Sequence, residues 1–370
     1  MLKFTSVLAA AGFAMLPLAS QAATPTLGDV LKASGISANG YVDFGSTINN
    51  RGTNAFAGIG GLQGATDGAF RLNQVGLAVT TGTSEGFNGT LDLLAGMDAQ
   101  AIAADGTGDI KLKQAYVSYG NGGFTVMGGR FITLAGTEVI NSSQNANATR
   151  SLLFSFVQPA QHTGVRTSYA FGKVVTLTAG LVNSATGAAP AANDNNHNKS
   201  YEAQVAVTPF DGFNNAVTVY VGNEAPSGTA TNNPLLVDLV SSLQVTKAIS
   251  LGLNYDHQRN GTAGQQINGL AGYASLQICD ALRLGGRAEF VKQTNNAAGT
   301  LGTNVNNQEY TFTTDYAVSK NFNVLSDLRW DKQTGNTAGT PATPTPFGNG
   351  TGVNGGNALT SLTIKGIYRF

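Results

Sequence analysis

Arg130 and Arg166 flank the longest connection in the first half of the chain, Arg150 lies within it, and Glu138 stands between Arg130 and Arg150. Guanidinium and carboxylate groups gathered along a narrow path can hold ions and polar solutes. They can equally be structural, each arginine satisfying a carboxylate on a neighbouring wall. Other chemistries lack their parts. The chain has three histidines, His162, His197 and His257. Gly82-Thr83-Ser84-Glu85-Gly86 matches Gly-x-Ser-x-Gly, but that nucleophile needs a strand-to-helix turn. Here the match falls in a short turn between two strand-like runs. Asp194-Asn195-Asn196-His197-Asn198 reads as a solvated loop rather than a ligand set. Gly58–Gly64 misses the dinucleotide fingerprint and its βαβ setting. Cys279 is the single cysteine, so no intrachain disulfide can form and its thiol is expected to be free. No catalytic residue, cofactor or metal is therefore expected.

The elements that carry these residues are visible in the composition. Of 370 residues, 21 are basic and 21 acidic, which leaves no net charge. Charged residues make up 11%, against about 25% in ordinary soluble domains. Glycine, at 48 residues, is about twice its usual share of roughly 7%. The missing basic excess argues against nucleic acid as a partner. A balanced charge argues against a disordered polyelectrolyte. Beyond the first residues no run of about 20 apolar residues marks a membrane helix.

Almost every apolar stretch after residue 35 alternates with period two. Leu282, Leu284, Gly286, Ala288 and Phe290 interleave with Arg283, Gly285, Arg287 and Glu289. Tyr310, Phe312, Thr314 and Tyr316 interleave with Glu309, Thr311, Thr313 and Asp315. Such alternation gives a β-strand one wet face and one apolar face. About 16 strands are expected, near 36–48, 70–80, 87–97, 110–119, 124–131, 163–170, 174–182, 200–208, 215–223, 235–245, 249–257, 268–278, 282–291, 308–318, 322–331 and 358–370. Short connections such as 171–173 and 279–281 alternate with long polar ones such as 132–162 and 332–357. An up-and-down transmembrane β-barrel has this order, with short periplasmic turns and long external loops. Asp92, Glu202, Glu224, Asp256, Arg283, Arg287, Glu289, Asp315, Asp327, Arg329 and Lys365 all fall on the polar parity. That face then lines water and the other meets lipid. Tyr119, Phe124, Tyr169, Tyr255, Phe290, Phe322 and Trp330 stand near strand ends as candidate interfacial girdles.

The two ends of the chain agree. Met1-Leu2-Lys3, an apolar run from Val7 to Leu18, and Ser20-Gln21-Ala22 make a secretory signal peptide. The expected organisation is a signal over 1–22, a short periplasmic segment over 23–35 and one barrel domain over 36–370. Leu27–Ala33 could form a short amphipathic helix in that segment. Leu362, Ile364, Gly366, Tyr368 and Phe370 alternate with Thr363, Lys365, Ile367 and Arg369. A final strand of this kind ending on an aromatic residue resembles the assembly signal of bacterial outer-membrane proteins, with Tyr368 and Phe370 as its marks.

Further blocks resemble one family, the OmpL-like β-barrel porins of Gram-negative bacteria. Leu27–Leu31 followed by Ser37–Asp43 looks like its opening, and Lys113–Tyr119 like its fourth strand. Gly128–Phe131, Gly136–Ile140, Ser151–Phe156 and His162–Arg166 look like its most recognisable central segment. The strand carrying Gln114 departs from that pattern by lacking a carboxylate. The resemblance implies an outer-membrane porin-like barrel but no particular solute.

It also bears on the connection Ile132–His162. Leu152–Val157 within it is mostly apolar and needs something to pack on. The segment either folds into the lumen as a constriction or caps the barrel from outside. Porins whose third external loop narrows the pore make the lumenal reading the natural one. Pore-lining or constriction residues would then be Arg130, Glu138, Arg150, Arg166, Glu202, Arg283, Arg287, Glu289, Asp315, Asp327 and Arg329. The expected function is a water-filled channel for passive diffusion of small hydrophilic solutes or ions. Its partners are outer-membrane lipid and the barrel-assembly machinery, with homo-oligomerisation open. Two alternatives stand beside it: a structural or adhesive barrel whose loops bind a partner, and a substrate-specific channel.

Overall fold

A computed structural model of the chain describes residue 31 and residues 33–50, 68–82, 85–102, 110–185, 196–224, 233–260, 264–295, 303–335 and 358–370. The expected signal peptide, Gly58–Gly64, Ser84 of the Gly-x-Ser-x-Gly match and the Pro/Thr-rich stretch after Gly339 lie outside the described residues.

Alternating residues form alternating faces, and the faces close on themselves. The strands are β1 Ile36–Asn49, β2 Arg71–Thr81, β3 Gly86–Ala95, β4 Ile110–Asn121, β5 Phe124–Ile132, β6 Gln161–Phe171, β7 Val175–Val182 and β8 Ser200–Phe210. They continue as β9 Phe213–Val221, β10 Leu235–Gln244, β11 Ile249–Asn260, β12 Gln265–Cys279, β13 Leu282–Asn295, β14 Thr303–Ala317, β15 Phe322–Gly335 and β16 Ala358–Arg369. Each strand pairs antiparallel with its sequence neighbours, and β16 returns to β1 to close the barrel. The seam runs from Tyr41 opposite Arg369 to Asn49 opposite Ser361. Closure leaves no strand edge and satisfies every ladder inside the wall, as hydrocarbon surroundings require. No described helix is long and apolar enough to cross a membrane.

Side chains sort by parity as the sequence predicts. On β13, Arg287 and Glu289 are buried inside while Phe290 is 47% exposed outside. On β15, Asp327, Arg329 and Asp331 are buried and Leu328 is exposed. Aromatic residues gather at both rims of the outer face. Phe87 packs on Tyr119 at 5.0 Å and Tyr169 on Phe171 at 4.7 Å, both near short turns. Phe290, Tyr310 and Trp330 form a chain of rings towards the long connections.

Among the described residues, two short α-helices and a 3-10 turn at Ser142–Gln144 interrupt the connections. The sequence reading gives 98–109 as a plain polar loop. The structure opens this connection with helix α1, Met97–Ile102. Gly96, at φ +100, makes the turn into it, a backbone conformation that favours glycine. Helix α2, Leu152–Phe156, lies in the third long connection.

The apolar core sits within the barrel rather than between layers. Leu152, Leu153 and Val157 pack against Tyr220, Leu236, Ile267, Ala271 and Val291 from the wall. Leu152 and Leu153 are fully buried, and each such burial stabilises by about 1.5–3 kcal/mol. The apolar run in the third long connection thus packs inside the barrel.

Candidate functional site inside the barrel

The connection between β5 and β6 is held in the lumen by backbone donors on wall carboxylates. Thr149 N–H donates to Asp327 Oδ2 at 2.7 Å, and Leu152 N–H to Glu289 Oε2 at 2.8 Å. Gly136 N–H donates to Asp238 at 3.1 Å. Leu134 N–H donates to the Tyr220 hydroxyl at 2.9 Å. Ser151 caps α2 by accepting from Phe154 N–H. Glu289 receives N–H groups of both Leu152 and Leu153 at the start of that helix. A carboxylate suits such donors, which have no partner within the helix.

A charged cluster stands where the connection meets β13–β15. Glu289 lies opposite Glu309, and Glu309 opposite Asp331. Three carboxylates side by side would repel one another. Arg287 and Arg329, two residues earlier on the same faces, hold them together. Arg287 reaches Glu309 at 3.0 Å, Glu289 at 3.5 Å and Glu138 of the connection at 2.7 Å. Arg329 reaches Asp331 at 2.7 Å and Glu309 at 3.7 Å. Arg329 also donates to the Arg150 carbonyl at 2.6 Å.

Arg130, Arg150 and Arg166 do not gather on Glu138. Arg166 pairs along the wall with Glu202, at 2.6 and 2.9 Å, and its guanidinium lies 4.1 Å over the Phe131 ring. Arg130 donates to Gln161 at 2.5 Å. Arg150 turns back on its own connection, donating to the Val139 and Ile140 carbonyls beneath the Phe154 ring. Glu138 meets Arg287 instead and accepts from Ser151 N–H at 2.8 Å. Arg283 pairs with Asp315 at 2.9 Å and donates to the Ala146 carbonyl at 2.9 Å. Asp315 also accepts from Asn323, which accepts from Arg369. Tyr368 and Phe370 lie on the outer rim, with ring centroids 6.3 Å apart. His257, on the outward parity of β11, bonds Asn268 at 2.8 Å.

Asp238 and Gln74 escaped the sequence reading, which places Asp256 and Asp92 on the polar parity without their partners. Asp238 and Asp256 face each other across β10 and β11, and Asp256 accepts from Gln158 of the connection at 2.8 Å. Gln74 bonds Tyr41, Asp98 and the Ile140 carbonyl, joining β1, α1 and the connection. Burial pushes the Asp98 carboxyl above its ordinary value, while Lys365 and Arg150 oppose that shift. Lys113 pairs with Asp92 at 2.7 Å, and Gln114 donates to the same carboxylate. Gln114, the residue without the expected carboxylate, also accepts from Ile132 N–H at the root of the connection.

Space remains between connection and wall. One hollow of about 450 Å³ is lined by Tyr41, Asp92, Lys113, Gln114, Asn141, Gln144 and Arg369. Another, of about 290 Å³, carries no charged lining residue and is bounded by Asn147, Asn214, Ser242 and Ser275 together with Leu243, Leu251 and Tyr273.

Residues 35–370 match the family model described as "Putative beta-barrel porin-2, OmpL-like". No curated protein matches the chain in sequence. Several solved structures share the fold. The outer membrane channel DcaP of Acinetobacter baumannii aligns with a TM-score of 0.62 at 12% identity, over 90% of this chain and 97% of that one. OprB of Pseudomonas putida aligns at 0.61 and 12%, over 92% and 96%. The trimer form of OmpT, an outer membrane protein of Vibrio cholerae, aligns at 0.56 and 10%, over 90% and 99%.

Proposed function

The chain belongs to the OmpL-like family of β-barrel porins, and we propose that its lumen passes small hydrophilic solutes or ions through the space left beside the inserted connection. The protein is an outer-membrane porin-like barrel, a setting in which passage is passive. The carrying observation is that the connection lies inside the barrel, its N–H groups on Asp238, Glu289 and Asp327 of three separate strands. A barrel of this strand number encloses an aqueous channel, and an inserted segment sets its width. In this reading Glu138, Arg150, Arg283, Arg287, Glu289, Asp327 and Arg329 fix the constriction in place. Arg130, Arg166, Glu202 and Asp315 brace the wall around it. Solutes meet Asp92, Lys113, Gln114 and Arg369. The assignment is a sieve with weak electrostatics and no catalytic step.

The Vibrio OmpT trimer supports a homo-oligomeric arrangement for this chain as well. Tyr368 and Phe370 are assigned as the signal read by the barrel-assembly machinery.

Planar-bilayer recording of the purified, folded protein tests the channel. Discrete conductance steps are expected, and deletion of Gln144–Phe156 enlarges them. A second reading, a plugged structural or adhesive barrel, draws on the breadth of contact. The connection touches β2 at Gln74, β9 at Tyr220, β11 at Asn254 and β15 at Asp327. Folded protein that gives no steps until that deletion is made would favour the plug.

A further inference from the structure

The outer wall has its own relief, independent of what passes through the lumen. On β12 and β13 the outward positions at mid-strand are small: Gly272 and Ala274 stand beside Ala288 and Gly286. On one side rise Leu251 and Leu253 of β11, and on the other Tyr310 and Phe312 of β14. The furrow between these ridges is part of a wider outward-facing hollow of about 930 Å³ that reaches from Phe213 and Leu243 to Leu328 and Trp330. Its floor is open space: a Cβ added at Gly272 would meet nothing within 4 Å, and one at Gly286 only the Thr311 carbonyl at 3.9 Å.

The chemistry changes at the top of the furrow. Tyr255, Phe290 and Trp330 close the apolar band towards the long connections. Beyond them on the same outward parities come Arg259, Lys292 and Lys332, all exposed. No ion pair among the described residues involves any of the three. The carboxylates of β11, β13, β14 and β15, Asp256, Glu289, Glu309, Asp315, Asp327 and Asp331, all take the lumenal parity. This sector of the outer face is therefore positive at the external rim and apolar with a furrow beneath it.

We propose that this sector binds a phosphate-bearing lipid of the outer leaflet, with phosphates on Arg259, Lys292 and Lys332 and an acyl chain in the Gly272–Gly286 furrow. Cationic side chains at a membrane surface attract anionic headgroups. An acyl chain fills an apolar groove that a flat wall would not offer, with favourable packing along its length. The two features lie one above the other on the same strands, which a lipid with a charged head and long chains requires.

The test uses the full folded chain in detergent, with retained lipid read by native mass spectrometry. The probe is lipid A carrying two phosphates, compared with the same lipid stripped of them. The phosphorylated form is retained, and removal of its phosphates weakens retention by at least about tenfold. The triple variant R259Q/K292Q/K332Q shows the same loss while keeping its heat-modifiable mobility and conductance. Filling the furrow with G272L/G286L weakens retention of both lipids. Equal retention of the two lipids, or no response to the triple variant, overturns the proposal. Loss of an oligomer in G272L/G286L also overturns it, because the furrow then belongs to a second copy of the chain.

Discussion

Arg287 and Glu138 meet at 2.7 Å across 149 positions of sequence. Arg287 stands on the wall and Glu138 on the connection that enters the lumen. Arg287 simultaneously holds Glu289 and Glu309, so one guanidinium serves three carboxylates without exposure to solvent. Loss of that cation leaves buried negative charge with too few partners. Arg287→Met is expected to lower stability by about 3–5 kcal/mol. Denaturant unfolding in detergent, followed by loss of heat-modifiable mobility, measures it. An unchanged midpoint would remove Arg287 from its central place in the cluster.

The two faces of the wall make opposite demands on charge. Phe312→Arg puts a cation against lipid at mid-strand and costs about 2–4 kcal/mol. Ser242→Arg places it beside the neutral lumenal space, where water can solvate it, and costs far less. Folding yield into lipid vesicles compares the two. Equal yields would contradict the assigned inward and outward parities.

Asp92 and Lys113 cancel one another beside the larger lumenal space. Asp92→Asn leaves the lysine charge uncompensated, and the reversal potential in a salt gradient shifts towards anions. Lys113→Gln shifts it towards cations. Shifts of the same sign in both variants would show that the permeating path runs elsewhere.

Asp98 is fully enclosed beside Gln74, and its proton affinity is raised by burial. A carboxyl whose folded value is raised favours folding at low pH. That contribution is complete below the unfolded value and is lost as pH climbs through the folded one. Asp98→Asn keeps an acceptor for Gln74 and cannot ionise. The variant therefore becomes more stable than the parent on the alkaline side of that window and matches it on the acid side. Thermal unfolding at a series of pH values detects the divergence.

Strand positions were legible because one signal, period two, governs all of them. Leu282–Phe290 could be sorted into faces from sequence, and Arg287 and Glu289 are found on the inner one. The partner of Glu138 could not be read. Three arginines stand nearer in sequence, yet the connection crosses the lumen and lays Glu138 on Arg287 of β13. That meeting depends on the assembled barrel, which no single strand encodes. Helix α1 was hidden for a different reason. It is short, and its anchor is Gln74 on β2 rather than a periodic apolar stripe. Asp256 was visible as an inward residue and Asp238 was not singled out, and their juxtaposition exists only once β10 and β11 are aligned.

The seam between β1 and β16 has a consequence for the order of assembly. Gly40 and Phe370 exchange both backbone hydrogen bonds, and the Phe370 ring occupies the space where a Cβ on Gly40 would stand. Nearby, Lys365 and Asp43 form an ion pair across 322 positions. The first strand therefore waits for the last. Until β16 arrives, β1 presents a row of unmet donors and acceptors, and so does whichever strand is newest. A chain interrupted one strand short would carry two raw edges, where the closed barrel has none. Completion is thus a single closing event, and a nascent barrel needs shelter until its two ends find each other.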